Sequence, residues 1–336
     1  MTKVVLLEVR PFEEEYIKQN IPLTLEYEMY RDTINETDKN LLKNAEIISV
    51  FTDSKVNEES LKSLDKLRMI NTRSTGVDHI DMDYCKRHNI IVTYVPAYGR
   101  YPVAEFAFGL MLDVVRKIAK SDRDIQSGNL DMDSYLGMNL CEKILGIVGT
   151  GTIGCHLVEL ANAFKMKIIA YDPKPVMEMV EKYNVHYVSL DDLLANSDII
   201  SLHAAYTGEN YHMIDEEALD KMKDGVYIIN TARGELIDTN ALLKALNSGK
   251  VKGAALDVLE SEKIIKEEEE YALEPDRVSR RDLINTLMNH ELITLPNVIV
   301  TPHIAYETIE AVQAILDVTM QDIKGYLENK IVNKAA

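Results

Sequence analysis

The stretch ILGIVGTGTIGCHLVELANAFKMKIIAYDP, positions 144–173, reads as an apolar strand, a glycine-rich turn, a helix and a second strand. Gly149, Gly151 and Gly154 stand in the spacing G-x-G-x-x-G. The first glycine permits a tight turn, the second lets backbone approach a pyrophosphate, and the third lets helix and strand pack closely. The helix N-terminus then offers amide donors and partial positive charge to phosphate oxygens. Asp172 ends the next strand, about 20 residues on, where a carboxylate accepts hydrogen bonds from an adenosine ribose. A bare glycine triplet is often only a turn, but here strand, triplet, helix, strand and terminal acid occur in order. The pattern implies a bound dinucleotide, and the charge of Asp172 favours NAD over NADP; Lys174 nearby weakens that preference slightly.

Outward from this unit the same alternation continues on both sides. KVVLLEV, LTLEY, AEIISVF, RMINTRS and IIVTYV are strand-like, with helical patterns at 58–67 and 79–87. KILGIVG, KIIAYD, VHYVSL, SDIISLH, GVYIINT, VKGAALDV and NVIVTPH form a second series, most of them followed by helix-like segments. Such alternation predicts parallel sheets covered by helices, an α/β class. Between the two series lies VAEFAFGLMLDVVRKIAK, expected to be one long helix over 103–120 and the crossover between domains. The tail from 305 onward is a helical pattern with no strand after it, expected to return to the first domain. The expected partition is therefore residues 1–100 plus 306–336, and residues 101–305.

The chain has 336 residues, with 37 Lys and Arg against 55 Asp and Glu, a net charge of −18. That charge repels phosphate backbones and anionic membranes, so neither nucleic acid nor a membrane surface is an expected partner. Cys85, Cys141 and Cys155 lie far apart, without the spacing of a zinc site or a disulfide framework, and no metal is expected. The opening residues lack an apolar leader, and no apolar run reaches bilayer length, so the expectation is a soluble cytoplasmic protein. The acid run at 267–270 reads as a solvated surface excursion.

Reactive groups in an α/β sheet are expected at the C-terminal ends of strands. Arg233 follows VYIINTA, Glu262 follows ALDVLES and His303 follows NVIVTP. A guanidinium fork suits a carboxylate and polarises a neighbouring carbonyl, though it could equally make a surface salt bridge. His303 is the one strand-end acid/base candidate, the alternative being a structural histidine bonded to backbone. Glu262 could hold the imidazole and favour its charged form, and Glu260 competes for that role. No G-x-S-x-G elbow supports a serine hydrolase.

Taken together, TRSTGVDHID, VPAYGRYPVAE, GIVGTGTIG, MKDGVYIINTARGELIDT, GAALDVLESE and TPHIAY resemble the D-2-hydroxyacid dehydrogenase family over nearly the whole chain. Within it the likeness is greatest to the D-lactate dehydrogenase branch. The resemblance implies two Rossmann-like or flavodoxin-like domains with an active-site cleft between them, one binding NAD and one, discontinuous, binding substrate. It makes Arg233 the binder of substrate carboxylate and carbonyl, His303 the proton donor and acceptor, and Glu262 its partner. Cofactor contacts implied in the same way are Thr152 and Ile153 in the glycine loop, Asp172, Ala204, Ala205 and Asn210, with Thr231, Ala232 and Asp257 on the nicotinamide side. Thr75 and Gly76 would hold the substrate carboxylate, and Tyr98, with Tyr101 and Tyr306 more loosely, would border the substrate side chain. Family members usually dimerise through the helix that corresponds to 103–120.

Three departures stand out. Gly99-Arg100 replaces a Ser-Pro pair at the hinge, Ala205 replaces a proline, and Glu307 replaces a tyrosine. Glutamine in place of Glu262 would mark a formate dehydrogenase, lysine in place of Thr75 a phosphite dehydrogenase, and an appended domain many phosphoglycerate dehydrogenases. The expected reaction is reduction of a small 2-keto acid by NADH, pyruvate being the favoured substrate and glyoxylate, hydroxypyruvate or phosphite relatives the alternatives. A competing class is an NADH-sensing binding protein like the C-terminal-binding-protein corepressors.

Overall fold

A computed structural model describes residues 2–266 and 279–335. The chain divides into two compact units, Met1–Tyr98 with Glu307–Ala336, and Gly99–Tyr306. The acid run at 267–270 lies outside the described residues.

The first unit is built on five strands, β1 Lys3–Leu6, β2 Glu26–Met29, β3 Ile47–Val50, β4 Met69–Thr72 and β5 Ile91–Thr93. They pair in the order β2-β1-β3-β4-β5, every pair parallel, the doubly wound order of flavodoxin-like sheets. Strand β2 lies slightly later than LTLEY suggests, because Pro22 and Leu25 form a turn just before it. The helix expected at 58–67 is confined to Glu58–Leu61, capped by Asn57, and the one expected at 79–87 begins at Met82, where the Asp81 carboxylate accepts from the Tyr84 amide.

One face of this sheet packs on Leu42, Leu61, Leu64 and Tyr84. The other packs on Ile17 and on the C-terminal helix Ile309–Leu327, whose Val312, Leu316, Met320 and Ile323 repeat at helical spacing. Each such side chain contributes about 1.5–3 kcal/mol on burial, which fixes the tail helix against β1, β3 and β4. Beyond that helix Tyr94 donates its amide to Asn333 and Ala335 donates to Val92, so the last residues run antiparallel along β5. The expectation of no further strand holds only in that this is a single bridge, at Thr93 and Lys334.

The second unit carries seven strands, β6 Ile144–Val148, β7 Lys167–Tyr171, β8 His186–Tyr187, β9 Ile199–Leu202, β10 Val226–Asn230, β11 Val251–Leu256 and β12 Val298–Val300. Their order is β12-β11-β10-β9-β6-β7-β8, all parallel, and the order in which the chain adds strands switches sides between β6 and β9. Strands β9 and β10 are buried at every residue, which is why they read as unbroken apolar runs rather than alternating ones. The helices Arg100–Arg116 and Thr152–Ala163 cover one face through Ala104, Ala107, Met111, Leu157 and Val158. The helices Leu190–Asn196, Glu216–Lys221, Thr239–Ser248 and Arg280–Thr294 cover the other.

The single helix expected over 103–120 is two. Arg100–Arg116 ends at Lys117, whose backbone is left-handed (φ 56°, ψ 41°), and Ile118–Gln126 starts afresh. The Asp113 carboxylate accepts from the Ala119 amide at 2.7 Å and Lys117 Nζ donates to the Ser134 carbonyl at 2.7 Å, replacing the hydrogen bonds the break removes. The apolar periodicity spans both halves, so it carries no sign of the break. Among the described residues no helix is long and apolar enough to cross a membrane, and the three cysteines are free.

The docking of the tail rests on a buried carboxyl. Asp322, 1% exposed, accepts from Asn71 and from Asn333, the latter at 3.0 Å. Burial pushes its pKa up from 3.8 to about 6, against the opposing pull of Asn333 and Thr93. A carboxyl raised in the folded state stabilises the fold while protonated, fully so below its unfolded value, and that stability is lost as pH rises through the folded value. The thermal midpoint of the wild type should therefore fall relative to Asp322→Asn between about pH 4 and pH 6. Parallel pH curves for the two proteins would refute this.

Candidate active site

Strand β6 ends at Val148 and delivers the glycine turn. Gly149 has φ +95°, and a Cβ there would lie 2.7 Å from the Ala204 amide nitrogen, so the turn after β9 packs directly on the glycine loop. A Cβ on Gly154 would fall 2.1 Å from the Gly149 carbonyl oxygen, whereas one on Gly151 would meet nothing within 4 Å. The first and third glycines thus serve close packing, and the second leaves backbone open to a ligand. The helix starting at Thr152 has Gly151 as its cap and no side-chain cap, so its first-turn amides, those of Thr152 and Ile153 among them, are not claimed by a capping side chain.

Asp172 closes this turn from β7. Its carboxylate accepts from the Thr150 amide at 2.6 Å and the Thr150 hydroxyl at 3.1 Å on one oxygen, and from the Lys174 amide at 2.7 Å on the other. It stays half-buried, with acceptor capacity left for ribose hydroxyls. Asn210 donates to the Ala205 carbonyl and accepts from the Thr207 amide, stapling the loop that follows Ala204. At the end of β10 the Thr231 hydroxyl is buried without a hydrogen-bond partner among the described residues. An open backbone at Gly151, uncapped helix amides, a ribose-height carboxylate and an orphaned hydroxyl fit a dinucleotide.

The charged groups occupy the C-terminal ends of β10, β11 and β12. Arg233, half-buried, has extended backbone and donates to the Ala232 carbonyl at 2.8 Å. Asn230 fixes this corner by donating to the Arg233 carbonyl and accepting from the Ala232 amide. Gly234 admits no side chain, since a Cβ would lie 2.1 Å from the Leu259 carbonyl carbon. The Arg233 corner and the segment leading to Glu262 are therefore in van der Waals contact. His303 Nδ1 meets Glu262 Oε1 at 2.6 Å, and the other Glu262 oxygen accepts from the Leu259 amide. The second imidazole nitrogen, Nε2, is left for another partner.

Glu262 rather than Glu260 pairs with the histidine. Glu260, 5% exposed, accepts from the Tyr211 hydroxyl at 2.7 Å, lies 3.1 Å from His212 Nε2 and pairs with Arg281 at 2.9 Å. Asn289 donates to its carbonyl. This cluster clamps the segment on which Glu262 sits. Asp257, 1% exposed, accepts from the Thr301 hydroxyl at 2.6 Å and from the amides of Ile304 and Ala305, and so holds the turn in which His303 takes a left-handed backbone (φ 59°). Burial raises its pKa while those three donors lower it. The sequence pointed to Asp257 as a nicotinamide contact and gave no sign of this role, because 257 and 301–305 meet only through the pairing of β11 with β12. Glu235, missed in the sequence, has its pKa raised by burial first, with Arg233 opposing and Glu262 and Glu260 adding to it.

In the first unit Thr75 donates its hydroxyl to the Val95 carbonyl, and the Ser74 hydroxyl donates to the Gly76 carbonyl, which orders the turn after β4. Tyr98 and Tyr306 are partly buried; Tyr101 is 55% exposed and lies edge-on to His156 at 4.7 Å. Arg100, the departure at the hinge, pairs with Glu159 of the glycine-loop helix at 3.6 Å and stacks on Tyr101. Glu307 is paired with Arg10 at 2.5 Å.

Residues 108–305 match the family model described as D-isomer specific 2-hydroxyacid dehydrogenase, NAD binding domain. A solved D-lactate dehydrogenase from Aquifex aeolicus, complexed with NAD and lactic acid, superposes with a TM-score of 0.87 at 38% identity, over 97% of this chain and 96% of that one. D-lactate dehydrogenase of Escherichia coli strain K12 is 31% identical over 326 residues, 96% of each chain. An aromatic 2-oxoacid reductase of Clostridium sporogenes is 36% identical over 315 residues, 90% of this chain and 91% of its own.

The glycine-loop geometry has a direct consequence. Gly154→Ala should push helix and turn apart and weaken NADH binding about tenfold, as 1–3 kcal/mol of overpacking implies. Gly151→Ala should fold normally and still lose affinity, its methyl occupying the space left open to the ligand. Fluorescence titration of NADH measures both, and unchanged affinity in both variants would contradict this account of the loop.

Proposed function

The chain belongs to the D-isomer specific 2-hydroxyacid dehydrogenase family, NAD-dependent oxidoreductases acting on CH–OH donors, and we propose that it reduces a small 2-keto acid, pyruvate in the first place, to the D-2-hydroxy acid. The observation that carries this reading is the 2.6 Å contact of His303 Nδ1 with Glu262, across the ends of β12 and β11, the latter next to the strand β10 that presents Arg233.

Bound on the glycine loop, NAD supplies the hydride donor or acceptor. The residues of the chain do the rest. Arg233 binds the substrate carboxylate through its planar fork and polarises the adjacent carbonyl. His303 in its charged form donates the Nε2 proton to the carbonyl oxygen, and Glu262 stabilises that charge through Nδ1. In the reverse direction neutral His303 takes the hydroxyl proton at Nε2. Charge on the substrate oxygen thus develops against fixed cationic groups, where preorganised electrostatics lowers a barrier. Thr231, Ala232 and the loop at Ala204 and Ala205 are assigned to the cofactor. Asp257 and Asn210 are assigned to holding the loops that carry those contacts, a change from contact to support. Thr75 and Gly76 are assigned to the substrate carboxylate and Tyr98 to the substrate side chain, on the resemblance of their motifs.

Pyruvate is favoured because two of the similar proteins named above are D-lactate dehydrogenases. The aromatic 2-oxoacid reductase makes phenylpyruvate the competing substrate. A homodimer is also part of the reading. Ile118, Ile125, Leu130, Met132 and Leu136 are all more than half exposed and follow one another just after the Lys117 break. Exposed apolar residues gathered in this way mark an association surface. A cytoplasmic location accords with three unpaired thiols.

His303→Ala should lower kcat for pyruvate by about 10²–10⁴-fold while NADH affinity changes little; retained turnover would remove His303 from the proton step. Across pyruvate, hydroxypyruvate, glyoxylate, 2-ketoisocaproate and phenylpyruvate, kcat/KM measured by NADH consumption should be highest for pyruvate. A phenylpyruvate maximum would move the chain to the aromatic branch. Leu130→Glu combined with Leu136→Glu should sediment as a monomer.

A further inference from the structure

The C-terminal ends of β10, β11 and β12 carry the candidate catalytic groups, and the opposite ends of the same three strands enclose a cavity of about 180 Å³. Its walls come from the start of each strand, at Tyr227, Lys252 and Val298, and from the helix pair that meets at Lys117. Val114, Val298 and Ile299 make the floor apolar. Lys117, Lys120, Arg123 and Lys252 line it as well, four cations at one concavity in a chain whose net charge is −18.

Part of that positive charge is balanced by Asp124 and Asp113, and part is not. Lys120 is paired with Asp124 and lies over the Tyr135 ring. Lys117 donates to a carbonyl oxygen, that of Ser134, which leaves its charge in place. Arg123 and Lys252 have no ion-pair partner among the described residues. Asp113, the acid on the wall, has one oxygen committed to the Ala119 amide.

An independent observation comes from Tyr227. It is 2% exposed as a residue and lines the cavity, and its hydroxyl makes no hydrogen bond to the described residues, so it is open to the solvent of the cavity. Burial alone raises its pKa, so the phenol stays protonated and available as a donor. Exposed lysines alone would mean only a solvated face; cations around an apolar floor with a phenol donor in the wall describe a recess for a particular kind of molecule.

We propose that this recess binds a small amphipathic oxyanion, an apolar body of about one aromatic ring bearing a phosphate or carboxylate, with the ring against Val114, Val298 and Ile299 and oxygens toward Arg123, Lys252 and the Tyr227 hydroxyl. The site is separate from the dinucleotide loop and from the Arg233–His303 group, since it occupies the other end of the sheet. It therefore stands or falls independently of the substrate reading. Its position gives it access to the cofactor unit's frame: Val114 belongs to the helix that covers the sheet beside the glycine-loop helix.

Calorimetric titration of phenyl phosphate into the NADH-saturated full-length protein tests the proposal, with inorganic phosphate as the second probe. NADH occupies the phosphate-binding loop, so that loop cannot supply the signal. Phenyl phosphate should bind saturably, and inorganic phosphate about tenfold more weakly because the ring's burial is missing. Arg123→Glu with Lys252→Glu should weaken phenyl phosphate at least about tenfold, and Tyr227→Phe about fivefold, the loss of one hydrogen bond. NADH affinity and circular dichroism should be unchanged in both. Absence of saturable binding, or equal binding by wild type and the charge-reversed variant, overturns the proposal. So does wild-type protein that binds no phenyl phosphate while the charge-reversed variant sediments at half the wild-type mass, which would assign the recess to a second copy of the chain.

Discussion

A carboxylate in the wrong place for ordinary chemistry organises the strand ends of the second unit that carry the candidate catalytic groups. Asp257 is almost fully buried and spends its oxygens on the hydroxyl of Thr301 and the amides of Ile304 and Ala305. Those three bonds turn the chain sharply after β12 and hold His303 in a left-handed backbone that a histidine adopts only under constraint. Only from that turn does Nδ1 reach Glu262, which itself stands on a segment gripped by Glu260 through Tyr211, His212 and Arg281. Two buried acids thus hold the frame in which a third acid and a histidine work. The proton transfer proposed for His303 needs this kind of support because small errors in position are costly to rate.

How much of this was legible in the sequence follows from range. The glycine loop was fully legible, because its strand, turn, helix and acid are consecutive and each glycine has a local steric reason. The strand ends at 233 and 303 were legible too, since apolar runs stop abruptly at charged residues. The choice between Glu260 and Glu262 was not, because it depends on which side of one turn faces β12, and that is set by tertiary packing. Nor was the division of the helix at Lys117, where apolar spacing continues and the break lies in one backbone conformation. The loop bonds of Asn210 and Asp257 were not legible either. In both, a short side chain bonds groups of its neighbouring loops that meet it only in the folded chain.

The hinge departure acquires a physical reason in the same terms. Arg100, where the family has proline, pairs with Glu159 on the glycine-loop helix and stacks on Tyr101, which in turn meets His156. A proline would stiffen the backbone at this point by restricting one dihedral angle. The arginine ties the start of one helix to the body of another through side chains. Both devices limit motion, but the ion pair is screened by salt and the ring is not.

The last residues of the chain have a consequence for solubility. By pairing antiparallel with β5, positions 333–335 occupy hydrogen-bonding groups at the edge of the first sheet. An uncovered edge is a template on which a second molecule can add a strand, and long flat edges are routes into aggregates. Here the chain's own tail fills the place such an intruder would take, and the Asp322–Asn333 bond keeps it there. The last residues thus act as a doorstop, keeping one edge of the first sheet closed to its own kind.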